Sequence, residues 1–473
     1  MFTKKHSANY PKNSRPRSVM QNSNSLLQRF HLYPRGNVST PPRLTGMAAN
    51  PRPWNSESNG KRPISNGDNR QSILPLSSPP CSLLATTLPA LTMHVPPPPA
   101  ALAQLIREAD ALHPLPPLTV LDKNLTAASG DKHDFYGIGK LAWPNPATPD
   151  GLPWIRRDGP RNPAAAGSDY DKNHYNTTLR RIHTLALVWH HTRDPRPAAK
   201  ATQLIRAWFT APATRMNPNF QYAAALPGVH GGMPIGIIEG VVLIDLIDDL
   251  TLLETSPALA PADSAALRQW FTDYATWLLQ SDFGKTEAAA TNNHAIWYAA
   301  QVATLSTYAG HPENIPPMLA LARRCLATSQ ATDGHFPQEL SRRQSHLYSV
   351  YILNAYATLA RLDPTLWHYK IEKTASQPNL HRALAWILPY LTGSGTKPWP
   401  APDIDLDAGK PMDPRALPLL RAAATAYPDL ALQCEKAVAH ILSQHPTPIQ
   451  ILWHLTPPPT TVQPSPASRK IKN

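Results

Sequence analysis

From Tyr170 to residue 443 the sequence keeps a helical period with scarcely a break, which excludes most folds before any motif is read. Apolar residues recur at three- and four-residue intervals over 170–192, 196–210, 233–253, 263–281, 291–309, 314–328, 340–361, 379–392, 414–426 and 429–443. Each stretch predicts a helix, and the breaks between them carry proline and glycine: Asp194-Pro195, Pro257, Pro261, Gly310 to Pro312, Asp363-Pro364. Strand signals are almost absent. No linker-like segment interrupts 170–390, so one hollow or layered all-α domain fits better than several bundles. The spacing between helices has no fixed period, which argues against TPR or HEAT arrays. One further helix is expected over residues 101–112, stopped by Pro114, Pro116 and Pro117. Residues 118–168 hold Gly, Pro, Asp and Trp without a period and read as a long ordered loop, a length that usually has a function.

Composition sets the boundaries. Of the net charge of +13, residues 1–97 carry +10, and 19 of the chain's 54 prolines lie there and in residues 456–473. The expected division is a disordered basic tail over 1–97, a folded domain over 98–455 and a Pro-rich tail over 456–473. What remains is only mildly basic, so the high pI is no argument for nucleic acid and merely permits an acidic polysaccharide. The three cysteines, Cys81, Cys325 and Cys434, show no metal or redox spacing. Residues 73–93 resemble a secretory apolar segment, interrupted by Pro75, Pro79, Pro80 and Pro89 and preceded by a long tail. No run is long enough to span a membrane.

Four stretches gather polar and aromatic residues outside the core pattern. The first runs Ser129-Gly130-Asp131-Lys132-His133-Asp134-Phe135-Tyr136, then Trp143-Pro144-Asn145-Pro146 and Asp150-Gly151-Leu152-Pro153-Trp154-Ile155-Arg156-Arg157-Asp158-Gly159. The second is Thr214-Arg215-Met216-Asn217-Pro218-Asn219, leading to Pro227-Gly228-Val229-His230-Gly231. The third, Asn292-Asn293-His294 with Trp297 and Tyr298, falls at a helix N-terminus, where Asn292 suits a capping role. By i,i+4 spacing, His294 and Tyr298 share a side. The fourth is Asp333-Gly334-His335-Phe336-Pro337-Gln338-Glu339-Leu340-Ser341-Arg342-Arg343, followed by His346 and Tyr348.

Taken in this order, the four stretches resemble the alginate lyase domain family, polysaccharide lyases with a toroidal all-α fold. The likeness covers about residues 115–400. It implies an (α/α) toroid or incomplete toroid of antiparallel helix pairs, an anionic polysaccharide as substrate, no cofactor or metal, a monomer, and a secreted or periplasmic setting. A lyase acting on a 4-linked uronate must neutralise the carboxylate, remove the C5 proton and protonate the leaving C4 oxygen. Carboxamides and arginine suit the first task, and His and Tyr the other two. The resemblance implies that Asn293 and Arg342 hold the carboxylate, that His294 is the base for one C5 epimer, and that Tyr348 is the acid, or both acid and base. Lys132, His133 and Tyr136 would come from a loop over the site lined by Asn217, His230 and Trp297. Arg342 and Tyr348, six residues apart, converge only if Arg342 precedes the helix or reaches round it, with Arg343 as the fallback. Many relatives carry His directly before the Tyr, whereas here His346 lies two residues earlier.

The carboxylates bear on an alternative, an inverting glycoside hydrolase, which needs two of them. Glu239, alone in an apolar stretch, is expected to pair with a buried Arg or to orient His294, and Glu339 to pair with Arg342 or Arg343. Asp245, Asp248 and Asp249 read as a helix end and its exposed face. A non-catalytic glycan-binding protein is the third reading.

Overall fold

The computed structural model describes residues 98–393, 398–445 and 447. The expectations for the basic tail, the 73–93 segment and the 456–473 tail lie outside these residues. Among the described residues no helix is long and apolar enough to cross a membrane.

The helices stand close to where the period puts them. Helix α1 covers Pro99–Leu112, α2 Lys172–Thr192, α3 Pro195–Ile205, α4 Leu243–Leu253 and α5 Pro261–Gln280. They are followed by α6, Asp282–Ala288, α7, Asn293–Ala309, and α8, Ile315–Ser329. A one-turn helix α9, Pro337–Leu340, precedes α10, Ser345–Leu362, and α11, Asn379–Leu391. The turn α12, Ile404–Asp407, leads to α13, Ala416–Ala426, and α14, Ala431–Gln444. Local signals fix the ends. Asp194 caps α3 with Pro195 behind it, and Gly310 at φ 92° closes α7 in the left-handed conformation that a side chain would oppose.

Alternate helices build the inner layer: α2 packs on α4, α4 on α7, α7 on α10 and α10 on α13, while α3, α8, α11 and α14 back them from outside. Short connections reverse the chain within each pair, giving an arc of antiparallel pairs, an incomplete toroid. Helix α7 sits mid-arc with α4, α5, α6, α8 and α10 around it. Fourteen of its seventeen residues are buried, which explains a composition apolar or small on every side.

Two expectations need correction. The stretch 233–253 is helical throughout, but Pro234–Val242 is wound as 3₁₀ before α4 begins. Asp248 and Asp249 do not face solvent: Asp248 pairs with Arg361 at 2.6 Å and Asp249 with His183 at 2.7 Å, in the packing between α4, α2 and α10. A helical period carries no mark of such charge pairs. Asp245 is exposed.

The long loop before α2 is ordered by four very short strands, β1 Tyr136–Ile138, β2 Ala142–Trp143, β3 Ile155–Arg156 and β4 Tyr222–Ala225. β1 pairs parallel with β4, and β2 antiparallel with β3. At two to four residues none could display a period of two. A fully buried ion pair, Lys123 to Asp171 at 2.9 Å, anchors the loop to the start of α2. Lys123 also donates to the carbonyls of Val120 and Lys132, and Asp171 accepts from the Tyr136 N–H. Burial, against the pull of Lys123, pushes the Asp171 carboxyl up to about 7.

Candidate active site

The N-terminus of α7 holds three consecutive polar residues with three different partners. Asn292 caps the helix, its Oδ1 accepting from the His294 N–H at 3.1 Å. Asn293 is fully buried, and its N–H and Nδ2 donate to the two oxygens of Glu339 at 2.7 and 2.8 Å. Its Oδ1 is buried without a hydrogen-bond partner among the described residues, a costly state unless a ligand donor reaches it. His294 keeps some exposure, and its Nδ1 lies 2.6 Å from Oε2 of the buried Glu287 on α6. A carboxylate on Nδ1 favours the tautomer with the proton there, leaving Nε2 as the acceptor.

Ser341 to Gln344 is non-helical, so Arg342 stands before α10 and the six-residue offset does not separate it from Tyr348. The Arg342 guanidinium carbon is 3.9 Å from the Tyr348 ring centroid, and its Nη2 meets Asp158 Oδ1 at 3.1 Å. Burial weakens the Arg342 cation, but Tyr348 and Asp158 outweigh it and hold the group more firmly protonated than usual. Arg343 turns back to the 158–159 loop, its N–H 3.4 Å from Asp158 Oδ2 and its Nη1 3.4 Å from the Asp158 carbonyl. Tyr348 is 6% exposed. Its neighbour Tyr351 packs at a tilt against Trp297, with ring centroids 4.7 Å apart, and Trp297 is itself buried. Burial pushes the Tyr298 phenol up to about 12, which makes it a poor proton carrier despite its spacing from His294.

Several expected partnerships are different ones. Glu239 pairs with Lys172, neither with an arginine nor with His294. Glu339 serves Asn293, with Arg342 and His294 acting on it only through their charge. His346 is buried against Trp399, its N–H donating to Asp403, and burial keeps its imidazole below the usual range.

The expected loop residues are brought together chiefly with one another. Lys132 Nζ donates to the Lys123 carbonyl at 3.0 Å, His133 Nδ1 meets the Arg215 carbonyl at 2.6 Å, and Asn217 donates to Asp131 and Asp134. Tyr136 packs its ring on Tyr170, and His230 is exposed in the turn that bridges back to Leu226. The residue of this region that reaches Tyr348 is Lys140, just after β1, with Nζ 6.0 Å from the ring centroid. Sequence reasoning missed Lys140 and Glu287, because neither stands in a period or beside the residue it approaches.

The comparisons agree with this architecture. Residues 119–399, more than half of the chain, match the family model described as alginate lyase. The chain belongs to the alginate lyase family. A crystal structure of an alginate lyase from Bacteroides ovatus is 30% identical with a TM-score of 0.66, over 75% of this chain and 92% of that one. Alginate lyase A1-III from Sphingomonas species A1 is 14% identical over 68% and 86%, and its TM-score of 0.41 is too low to carry an argument. No curated protein matches the sequence. Membership in the alginate lyase family makes the protein a polysaccharide lyase of all-α toroidal fold, a class whose substrates are anionic polysaccharides.

Proposed function

We propose that the protein cleaves a 4-linked uronic-acid polymer of the alginate type by β-elimination at the cleft between the starts of α7 and α10. The observation that carries this reading is the stacking of Arg342 on Tyr348, which puts a fixed cation beside a phenol. Arg342, joined by the second Nδ2 proton of Asn293, takes the uronate carboxylate and spreads the charge that develops when C5 is deprotonated. His294, oriented by Glu287, offers Nε2 as the base for one C5 epimer. Tyr348 gives its proton to the C4 oxygen as the bond breaks, and for the other epimer its phenolate takes the C5 proton and passes it to the departing C4 oxygen. The products are a new reducing end and a sugar with a C4=C5 double bond. Lys132, His133, Tyr136, Asn217, His230 and Trp297 belong to the walls in this reading.

Glycoside hydrolysis fits the carboxylates less well, since Glu239, Glu287 and Glu339 are each engaged by Lys172, His294 and Asn293. A polymer of this kind is met outside the cytoplasm, which makes export part of the proposal; N-terminal sequencing of the native protein tests it.

The deciding assay follows the ultraviolet absorbance of the unsaturated product from alginate. His294→Ala and Tyr348→Phe are each expected to lower kcat by at least about a hundredfold, the scale of lost acid–base catalysis, with the helical circular dichroism intact. Full activity in both variants would refute the site. New reducing ends without the absorbance would make the enzyme a hydrolase.

A further inference from the structure

Two charged sets meet at Tyr348. One consists of Asn293, His294, Glu339 and Arg342, linked by the hydrogen bonds and fields described above. The other surrounds Lys140. The charges that act most strongly on it are those of three cations, Arg161, Lys172 and Arg415, and of the carboxylate Glu239, which is paired with Lys172. Arg415 lies with its guanidinium carbon 5.3 Å from the Tyr351 ring centroid and pairs with Asp413. Lys140 itself makes no ion pair among the described residues. Burial and the crowding cations draw its pKa well below the usual lysine range. Protonating Lys140 there, among other cations and next to the ring assigned to proton transfer, costs free energy that an arriving anion would offset.

We propose that Lys140, with Lys172 and Arg415 beside it, binds the carboxylate of the sugar next to the one that is deprotonated. The proposal rests on the lyase reading for its register along the polymer. A polyuronate carries one carboxylate on every sugar, so once Arg342 holds the reacting one, a second follows along the chain. The cation set at Lys140 shares Tyr348 with the first site but none of that site's charged partners, as a separate subsite requires. A polymer whose uronates alternate with neutral sugars would leave Lys140 uncompensated, so this residue selects for contiguous uronate.

The test uses the full-length protein carrying Tyr348→Phe, which keeps the ring and stops turnover. It is titrated calorimetrically with an alginate tetrasaccharide, with and without Lys140→Met. Removing Lys140 is expected to weaken binding about tenfold, the scale of a lost charge-assisted hydrogen bond, and to flatten its salt dependence. Lys140→Arg is expected to restore most of the affinity. Because Lys140→Met relieves a crowded cation, its Tm should equal or exceed that of the parent. Unchanged affinity, no binding at all, or affinity and Tm falling together would each overturn the proposal. So would intact affinity with lowered kcat in the otherwise wild-type protein, which would assign Lys140 to proton transfer. If wild-type protein yields no unsaturated product while binding still depends on Lys140, it is the lyase reading that fails and the anion site that stands.

Discussion

Glu339 shows how one buried carboxylate can set the pH range of the site. Burial raises its pKa, and the two hydrogen bonds from Asn293, with the fields of Arg342 and His294, oppose that rise without cancelling it. In the ionised form both oxygens accept from Asn293. As pH falls through the raised pKa, a proton takes one oxygen and Asn293 loses half of its hold. An acid limb in kcat/KM is therefore expected, with an apparent pKa above that of an ordinary glutamate. Glu339→Gln should abolish that limb and lower activity about 10–100-fold at neutral pH, since one acceptor is gone and a charge-assisted bond with it. A limb that persists unchanged in Glu339→Gln would assign it to another group. Stability runs the other way. The folded state binds more protons than the unfolded one between the ordinary and the raised pKa, so this group's contribution is full at low pH and is lost as pH rises through the raised value.

At the level of elements, the approach of the 3₁₀ stretch 234–242 to α5 and α7 depends on a missing side chain. A Cβ at Gly240 would lie 2.2 Å from Tyr274 Oη and 2.4 Å from Gln301 Oε1, two atoms that hydrogen-bond to each other at 2.9 Å. Gly240→Ala is expected to cost about 1–3 kcal/mol by overpacking, read as a lowered midpoint in denaturant with an unchanged slope. A midpoint equal to wild type would mean the helices shift apart freely. The elements themselves were largely legible. The period gave α7 and its neighbours, Asn292 was readable as a cap from its type and place, and Arg342 was recognisable as a residue that meets Tyr348 if it precedes the helix or reaches round it. Partners distant in sequence were not. Glu339 lies 46 residues from Asn293, Asp249 66 residues from His183, and Lys140 more than two hundred from Tyr348. A charge leaves no periodic trace of the element it will face, so Glu239 was given the wrong partner and Asp248 the wrong surroundings. Lys140 went unread because the strand before it has only three residues.

For the molecule as a whole, the candidate machinery comes from the starts of two successive inner helices, α7 and α10, and from the loop region that β1 and β4 fold against them. All of it lies within residues 98–445, while +10 of the net +13 lies in residues 1–97. Chemistry and bulk charge are thus on different parts of the chain. Short and long substrates should report them separately, because a short oligouronate fills the cleft whereas a long polyanion also feels the field of the whole protein. A variant lacking residues 1–97 is expected to turn over an alginate tetrasaccharide with kcat and KM within about twofold of the full-length protein, having lost no residue of the cleft. With long alginate at low salt its kcat/KM should fall, and the difference should vanish as ionic strength rises and screening shortens the reach of the field. If the tetrasaccharide kinetics collapse while the circular dichroism stays helical, the first 97 residues contribute directly to the site, and the boundary at residue 98 is misplaced.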